Sequence, residues 1–200
     1  MATKIFLSAL EASPEFAYID ERIPHYLFNL MSFYYIKDEI FTKIKNKSEL
    51  VLVDSGAFSF QQGRKVDWID YTKKYSEFIE KYNDDKKVLG FFEMDIDPLT
   101  SDYALTLSLR NILTTVSNKI IPVWHKNRGI EDFKNMCKNP IHKDRIIAIT
   151  GQNGESPDLR VSDYSSFVAY AHYCGCKVHC LGMTTKKNIK NSPVRLCRQQ

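Results

Sequence analysis

The chain reads as an α/β protein on a parallel sheet, with a (β/α) TIM-like barrel of about six βα units as the expected form. Three observations predict this. Short apolar strands alternate with amphipathic helices along most of the sequence, which is the cadence of βαβ units. Val51-Leu-Val-Asp54 and its counterparts are apolar throughout rather than alternating, as suits strands covered on both faces. Successive strand ends carry polar or glycine-rich clusters, and in α/β folds and barrels those ends are where sites are built. An eight-stranded barrel takes roughly 250 residues. With 200 residues, the expectation is an incomplete barrel lacking its last one or two units, or else an open sheet.

In chain order, residues 4–10 read as a short strand. Residues 14–47 are aromatic-rich and partly helical, with Tyr26-Leu-Phe-Asn-Leu-Met-Ser-Phe-Tyr-Tyr35 expected to pack over a barrel end or a partner. A strand at 50–54 ends in Asp54-Ser55-Gly56. Over 67–82, Trp68, Tyr71, Tyr75, Phe78 and Ile79 recur at helical spacing behind Asp67, an N-cap residue type. The pattern then settles into strand 88–96, helix 101–116, strand 119–125, helix 130–137, strand 145–150, helix 163–174 ending near Gly175, and strand 177–182. No internal repeat or low-complexity linker interrupts it. The chain is therefore expected to be one domain over 1–200, its C-terminal strands missing, with 191–200 a non-native or disordered tail.

Composition bounds the function. A hydrophobic fraction of 44% with 26% charged residues is that of an ordinary soluble protein, and 12 Phe with 11 Tyr argue against disorder. A net charge of +4 is compatible with a nucleic-acid partner, yet many small-molecule enzymes share it. Lys45, Lys47, Arg64, Lys65, Lys73, Lys74, Lys186, Lys187 and Lys190 are scattered, as on solvated faces. Five cysteines, an odd number, behind an N-terminus unlike a signal peptide point to free thiols in a reducing compartment. No stretch approaches the roughly 18 apolar residues of a membrane span. The expected location is the cytoplasm, or the host cytoplasm if the gene is carried by a phage.

Four segments can carry chemistry. Asp54-Ser55-Gly56-Ala57-Phe58 sets a carboxylate beside backbone amides at a tight turn, for recognition of a base or sugar edge, for proton transfer, or simply for the turn itself. Phe91-Phe-Glu93-Met-Asp95-Ile-Asp97-Pro98 ends an apolar strand in three acids. If the strand continues, Glu93, Asp95 and Asp97 share one face, and Phe92, Met94 and Ile96 the other. Three like charges need protonation, pairing, a cation or substrate donors; substrate hydrogen bonding is preferred here, because hard-metal sites usually recruit ligands from several strands. His125, closing the next strand, suits a general base, a substrate contact or a structural hydrogen bond. Ile149-Thr-Gly151-Gln-Asn-Gly154 permits close backbone approach to a planar ligand. Cys174-Gly-Cys176-Lys-Val-His179-Cys180 invites a zinc reading, but strand alternation sends His179 and Cys180 to opposite faces, which favours structural thiols.

Taken in order, these segments resemble a known family. Asp54-Ser55-Gly56-Ala57-Phe58, then the acid-ended strand, then Ile147-Ala-Ile-Thr-Gly151, then Val178-His-Cys-Leu-Gly-Met183 look like the tRNA-guanine transglycosylase superfamily. They look most like its phage and bacterial branch, which inserts 7-deazaguanine bases into DNA. The resemblance runs over roughly residues 4–183 and implies a (β/α) barrel that exchanges guanine in a polynucleotide for a 7-deazaguanine, such as the queuosine precursors. A carboxylate nucleophile attacks the sugar C1′, and the incoming base resolves the covalent intermediate.

By position, the resemblance makes Asp54 the acid that contacts the base and assists proton transfer, with Ser55 and Gly56 beside it. It makes Asp95, or less favourably Asp97, the reader of the guanine edge. Gly151 supplies a backbone contact, His125 a polar contact to the base, and Phe58 a stacking surface. The implied partners are DNA or tRNA and the 7-deazaguanine base; no cofactor, metal or membrane is expected. Two family features are missing: the structural-zinc Cys-x-Cys-x-x-Cys pattern, and the nucleophilic Asp that should follow the next strand. Codons for Leu196-Cys-Arg-Gln-Gln200, shifted by one nucleotide, can encode a Val-Asp-Ser element of the kind that branch carries there. The expectation is a frame-shifted tail in place of the catalytic strand.

Two rival readings stand beside this one. One is a non-catalytic truncated homologue that binds base or nucleic acid, its open sheet edge favouring a homo-oligomer or assembly with a second polypeptide. The other is a metal-assisted barrel hydrolase using Glu93, Asp95, Asp97 and His125.

Overall fold

Parallel strands alternate with helices through the computed structural model, which describes residues 4–60, 66–150, 161–182 and 196–199. The chain divides into two compact units, Leu7–Ile120 and Met1–Phe6 with Ile121–Gln200. Each is built of parallel strands and covering helices.

In the Leu7–Ile120 unit the strands are β1 (Lys4–Ser8, entering the unit at Leu7), β2 (Tyr26–Ser32), β3 (Ser48–Asp54), β4 (Val88–Phe92) and the start of β5 (Ile120–Ile121). Their order is β5-β4-β3-β2-β1. The β1–β2, β2–β3 and β3–β4 ladders are parallel. The helices are α1 (Phe16–Arg22), α2 (Asp38–Lys47), α3 (Trp68–Tyr82), α4 (Asp97–Thr100) and α5 (Tyr103–Val116).

One face of this sheet packs Met31, Val51, Val53 and Phe91 against Phe41 and Ile44 of α2, Tyr75, Phe78 and Ile79 of α3, and Leu109 and Leu113 of α5. Leu30, Leu52 and Phe92 on the same strands are also buried but lie outside that cluster. Both faces are thus covered, which is why these strands show no polar alternation. Each large side chain so buried contributes about 1.5–3 kcal/mol of transfer free energy. Helix starts follow the sequence signals: the Asp67 carboxylate accepts the Ile69 and Asp70 amides at 3.0 Å, and Asp102 accepts the Leu105 amide at 2.9 Å.

The second unit holds β6 (Val123–His125), β7 (Ile146–Thr150), β8 (Lys177–Leu181) and β9 (Leu196–Gln199), in the order β9-β8-β7-β6 and parallel throughout. Its helices are α6 (Gly129–Lys138) and α7 (Val161–Tyr173). Trp124, Phe133, Ile147, Ile149, Val168, Val178 and Cys180 form its core. Gly175, at φ 78°, ends α7: its amide bonds the His172 carbonyl, and the Cys176 amide bonds that of Ala171. That is a Schellman closure, which a glycine in the left-handed region allows.

Four features depart from the sequence reading. Residues 26–32, expected to pack over an end, are strand β2. The strand expected at 88–96 stops at Phe92. The strand expected at 119–125 breaks at Pro122, which has no amide to give the ladder and whose carbonyl accepts the Ala148 amide at 2.9 Å. Residues 196–199, for which no strand was expected, pair with β8, Leu196 against His179 and Cys197 against Cys180. Among the described residues no helix is long and apolar enough to cross a membrane.

Candidate functional site

The carboxyl end of β3 carries the first acid. Asp54 lies in register beside Ser32 of β2. Its carbonyl accepts the Phe33 amide at 2.8 Å, and its Oδ1 accepts the Gly56 amide at 3.1 Å. The aspartate therefore makes the turn that the sequence offered as one of its readings. Ser55 is buried; its Oγ accepts the Ala57 amide at 3.3 Å, and its carbonyl accepts the Tyr71 hydroxyl at 2.7 Å. Gly56 sits at φ 75°, where a Cβ would lie 2.6 Å from Tyr34 Cβ and 2.9 Å from the Tyr34 amide nitrogen. Phe58 follows in a single 3-10 turn, Ala57–Phe60, half-buried.

A second tyrosine of α3 joins two strand ends. The Tyr75 hydroxyl, fully buried, lies 3.2 Å from the Val53 carbonyl and 3.1 Å from that of Phe92. It spans the last turn of β3 and β4, one residue before Asp54 and three before Asp95. Burial first, then the charge of Asp54, the neighbouring Tyr71 and the charge of Asp95, push this phenol well above its ordinary value. Tyr71 shifts upward too, through burial and then the Asp54 charge. Both hydroxyls remain neutral donors over any working pH, and both carboxylates act on the Tyr75 hydroxyl.

The strand geometry expected to set the three acids after β4 on one face is not kept. Beyond Phe92 the chain winds tightly, the Asp95 amide bonding the Glu93 carbonyl at 3.1 Å and the Ile96 amide that of Met94 at 2.9 Å. Strand alternation ends there, so Met94 and Ile96 enter the helix-side core with Phe91, while Phe92 does not. Glu93 is fully buried and paired with Arg110 of α5, Nη2 donating to Oε1 at 3.0 Å and Nε to Oε2. Asp97 opens α4, its carbonyl accepting the Ser101 amide at 2.8 Å. Asp95 and Asp97 are both almost wholly buried.

A further carboxylate was missed in the sequence. Glu11, in a 3-10 turn after β1 and 5% exposed, accepts the Ser32 amide on Oε1 at 2.7 Å. The Glu11 carboxylate and the Asp54 backbone carbonyl thus take consecutive amides, Ser32 and Phe33. The rule that drew attention to Asp54, an acid just past a strand's carboxyl end, would have found it had residues 9–12 been read as a turn. Glu11, Asp54 and Asp95 follow β1, β3 and β4 of one parallel sheet. Such a set accepts hydrogen bonds from N–H edges and can move protons.

In the other unit, His125 ends β6, fully buried, in register with Thr150 of β7. Gly151 is next after Thr150 and lies outside the described residues. His179 is buried with its ring edge-on to Phe6 at 5.9 Å, whereas Cys180 packs in the helix-side core, as alternation requires. Among the described residues no group of three His, Cys, Asp or Glu side chains is placed to hold a metal ion. Compared with known proteins, the chain matches no family model and no curated sequence.

Proposed function

We propose that the chain is a (β/α)-barrel protein of the guanine-transglycosylase kind, which binds guanine or a 7-deazaguanine of DNA or tRNA at the β3 and β4 ends and exchanges the base. The observation that carries this reading is the Tyr75 hydroxyl, which ties the ends of β3 and β4 together and feels both Asp54 and Asp95. In the motif order these are the base-contacting and base-reading acids.

The chemistry fits the groups. Guanine presents a ring N–H and an amino group on one edge, and a carboxylate accepts both; Asp95 takes that part. Asp54, held by the Gly56 amide, relays a proton at the base as its bond to C1′ breaks. Exchange further requires a carboxylate nucleophile at C1′, the acid that the resemblance places after the next strand and for which this sequence offers no matching residue. The metal-assisted hydrolase reading is disfavoured because Glu93, one of its ligands, is engaged by Arg110.

The test is incorporation of labelled guanine into duplex DNA and into tRNA, with Asp54→Ala and Asp95→Ala alongside. Label entering one polymer, and lost in both variants, is the expected result and identifies the substrate. No incorporation into either polymer, together with no binding of guanine or 7-deazaguanine by the folded protein, would overturn the reading. Binding without exchange would leave a base-binding protein and overturn only the catalytic part.

A further inference from the structure

Two thiols meet where the end of α6 reaches the start of β8. The Cys176 thiol donates to the Cys137 carbonyl at 3.2 Å, which sets its sulfur directly against Cys137. Both residues are buried, and Cys137, Cys174, Cys176 and Cys180 are all free thiols.

The surrounding chain holds the pair in place. Arg145, at φ 56°, donates Nη2 to the Cys174 carbonyl at 2.8 Å and to the Cys137 carbonyl at 3.4 Å. Its own carbonyl accepts the Lys177 amide at 2.9 Å, next to Cys176. The Schellman closure at Gly175 fixes the other side. The guanidinium also hydrogen-bonds Cys176.

The two sulfurs are chemically unequal. The Cys137 hydrogen bond lowers the Cys176 thiol to about 7 against the effect of burial, and the Arg145 charge assists. The same bond, with burial, raises Cys137. Cys176 is therefore the thiol of the pair that ionises more readily, and the thiolate is the reactive form of a cysteine.

We propose that Cys137 and Cys176 form a redox-modification site that closes into an intramolecular disulfide when hydrogen peroxide reaches it. The Cys176 thiolate attacks one peroxide oxygen; the O–O bond breaks, and hydroxide leaves and is protonated to water. Cys176 is now a sulfenic acid. The Cys137 sulfur attacks it, the S–S bond forms, the S–O bond breaks, and hydroxide departs with the Cys137 proton as a second water. The two thiols together lose two electrons, which the peroxide accepts. The side of the pair nearest solvent is the C-terminal end of α7, where Cys174 is only half-buried.

The experiment treats the full chain with dilute hydrogen peroxide, alkylates under denaturing conditions and maps disulfides by mass spectrometry. A Cys137–Cys176 link that dithiothreitol reverses is expected. Cys174→Ser should keep that link, and Cys137→Ser should leave a dimedone-reactive sulfenic acid on Cys176. If a variant fails to fold, the map of the unaltered chain decides alone. A link joining Cys176 to any other cysteine overturns the proposal, as does full alkylation of both residues after peroxide.

Discussion

Arg110 grips Glu93 from α5 with two nitrogens, one on each carboxylate oxygen, and the glutamate is completely buried. Burial works against the guanidinium's charge, but Glu93 outweighs it and leaves Arg110 a firmer cation than in water. The pair anchors the point where β4 ends and the winding segment bearing Asp95 begins. Arg110→Met strands a carboxylate inside the protein and should cost about 3–5 kcal/mol. Glu93→Gln combined with Arg110→Met should recover much of that, because no buried charge remains. Urea denaturation of the three proteins checks this. A double variant no more stable than the single one would show that the pair is not what holds the segment.

Tyr75→Phe removes the hydroxyl that joins Val53 and Phe92 while leaving the ring in the core. The two carbonyls lose a donor where water cannot replace it, a cost of about 1–3 kcal/mol. Tyr71→Phe removes a bond to the Ser55 carbonyl at a half-buried position and should cost less. If Asp54 and Asp95 act together, guanine binding should weaken more in Tyr75→Phe than in Tyr71→Phe. Equal losses measured by calorimetry would mean that the spacing of the strand ends does not govern binding.

Much of the alternating pattern was legible because strands 50–54 and 145–150 are apolar over most of their length, and two of the helices carry clear caps at Asp67 and Gly175. Strand β2 was not. Asn29 interrupts its apolar run, and Leu27 is 67% exposed. What makes Asn29 tolerable inside is a bond from Nδ2 to Ser48 Oγ at 2.8 Å, with Ser48 in turn donating to the Ile44 carbonyl at 2.6 Å. That partner lies on the neighbouring strand, 19 residues away, and no local pattern announces it. At the site, Asp54 was legible as an acid past a strand end. The face shared by Glu93, Asp95 and Asp97 was not a sound inference, because it assumed a strand that the backbone bonds of 93–96 end.

Gly56 and Gly129 separate two costs that are usually confounded. Both lie at positive φ, 75° and 77°. At Gly129 a Cβ would meet nothing within 4 Å, and the backbone, at ψ 168°, lies in a region essentially reserved for glycine, so Gly129→Ala should cost the backbone strain alone, about 1–3 kcal/mol. At Gly56 the strain of a positive φ is joined by contact with the Tyr34 backbone and Cβ and with Ser32 Oγ, adding about 1–3 kcal/mol of overpacking. Thermal unfolding of the two alanine variants should therefore differ, Gly56→Ala falling further. Equal shifts would show that the Tyr34 loop gives way freely.

Acid should act on this fold through Asp20 and Asp85. The Lys47 hydrogen bond lowers Asp20 below 3.8, against burial and with help from Tyr26. Burial would raise Asp85, but the Lys45 bond, the Lys87 amide and the charges of Lys45 and Lys119 prevail and lower it from the same value. A carboxyl lowered on folding stabilises fully above its unfolded value. Its contribution is lost as pH falls from near 3.8 through the lower native value. Replacing Lys45 and Lys47 by Met removes the partners that do the lowering. Urea midpoints measured between about pH 5 and pH 2 should then fall less steeply in the double variant than in the parent. Parallel curves would mean that these pairs carry no proton linkage, and that acid sensitivity arises elsewhere.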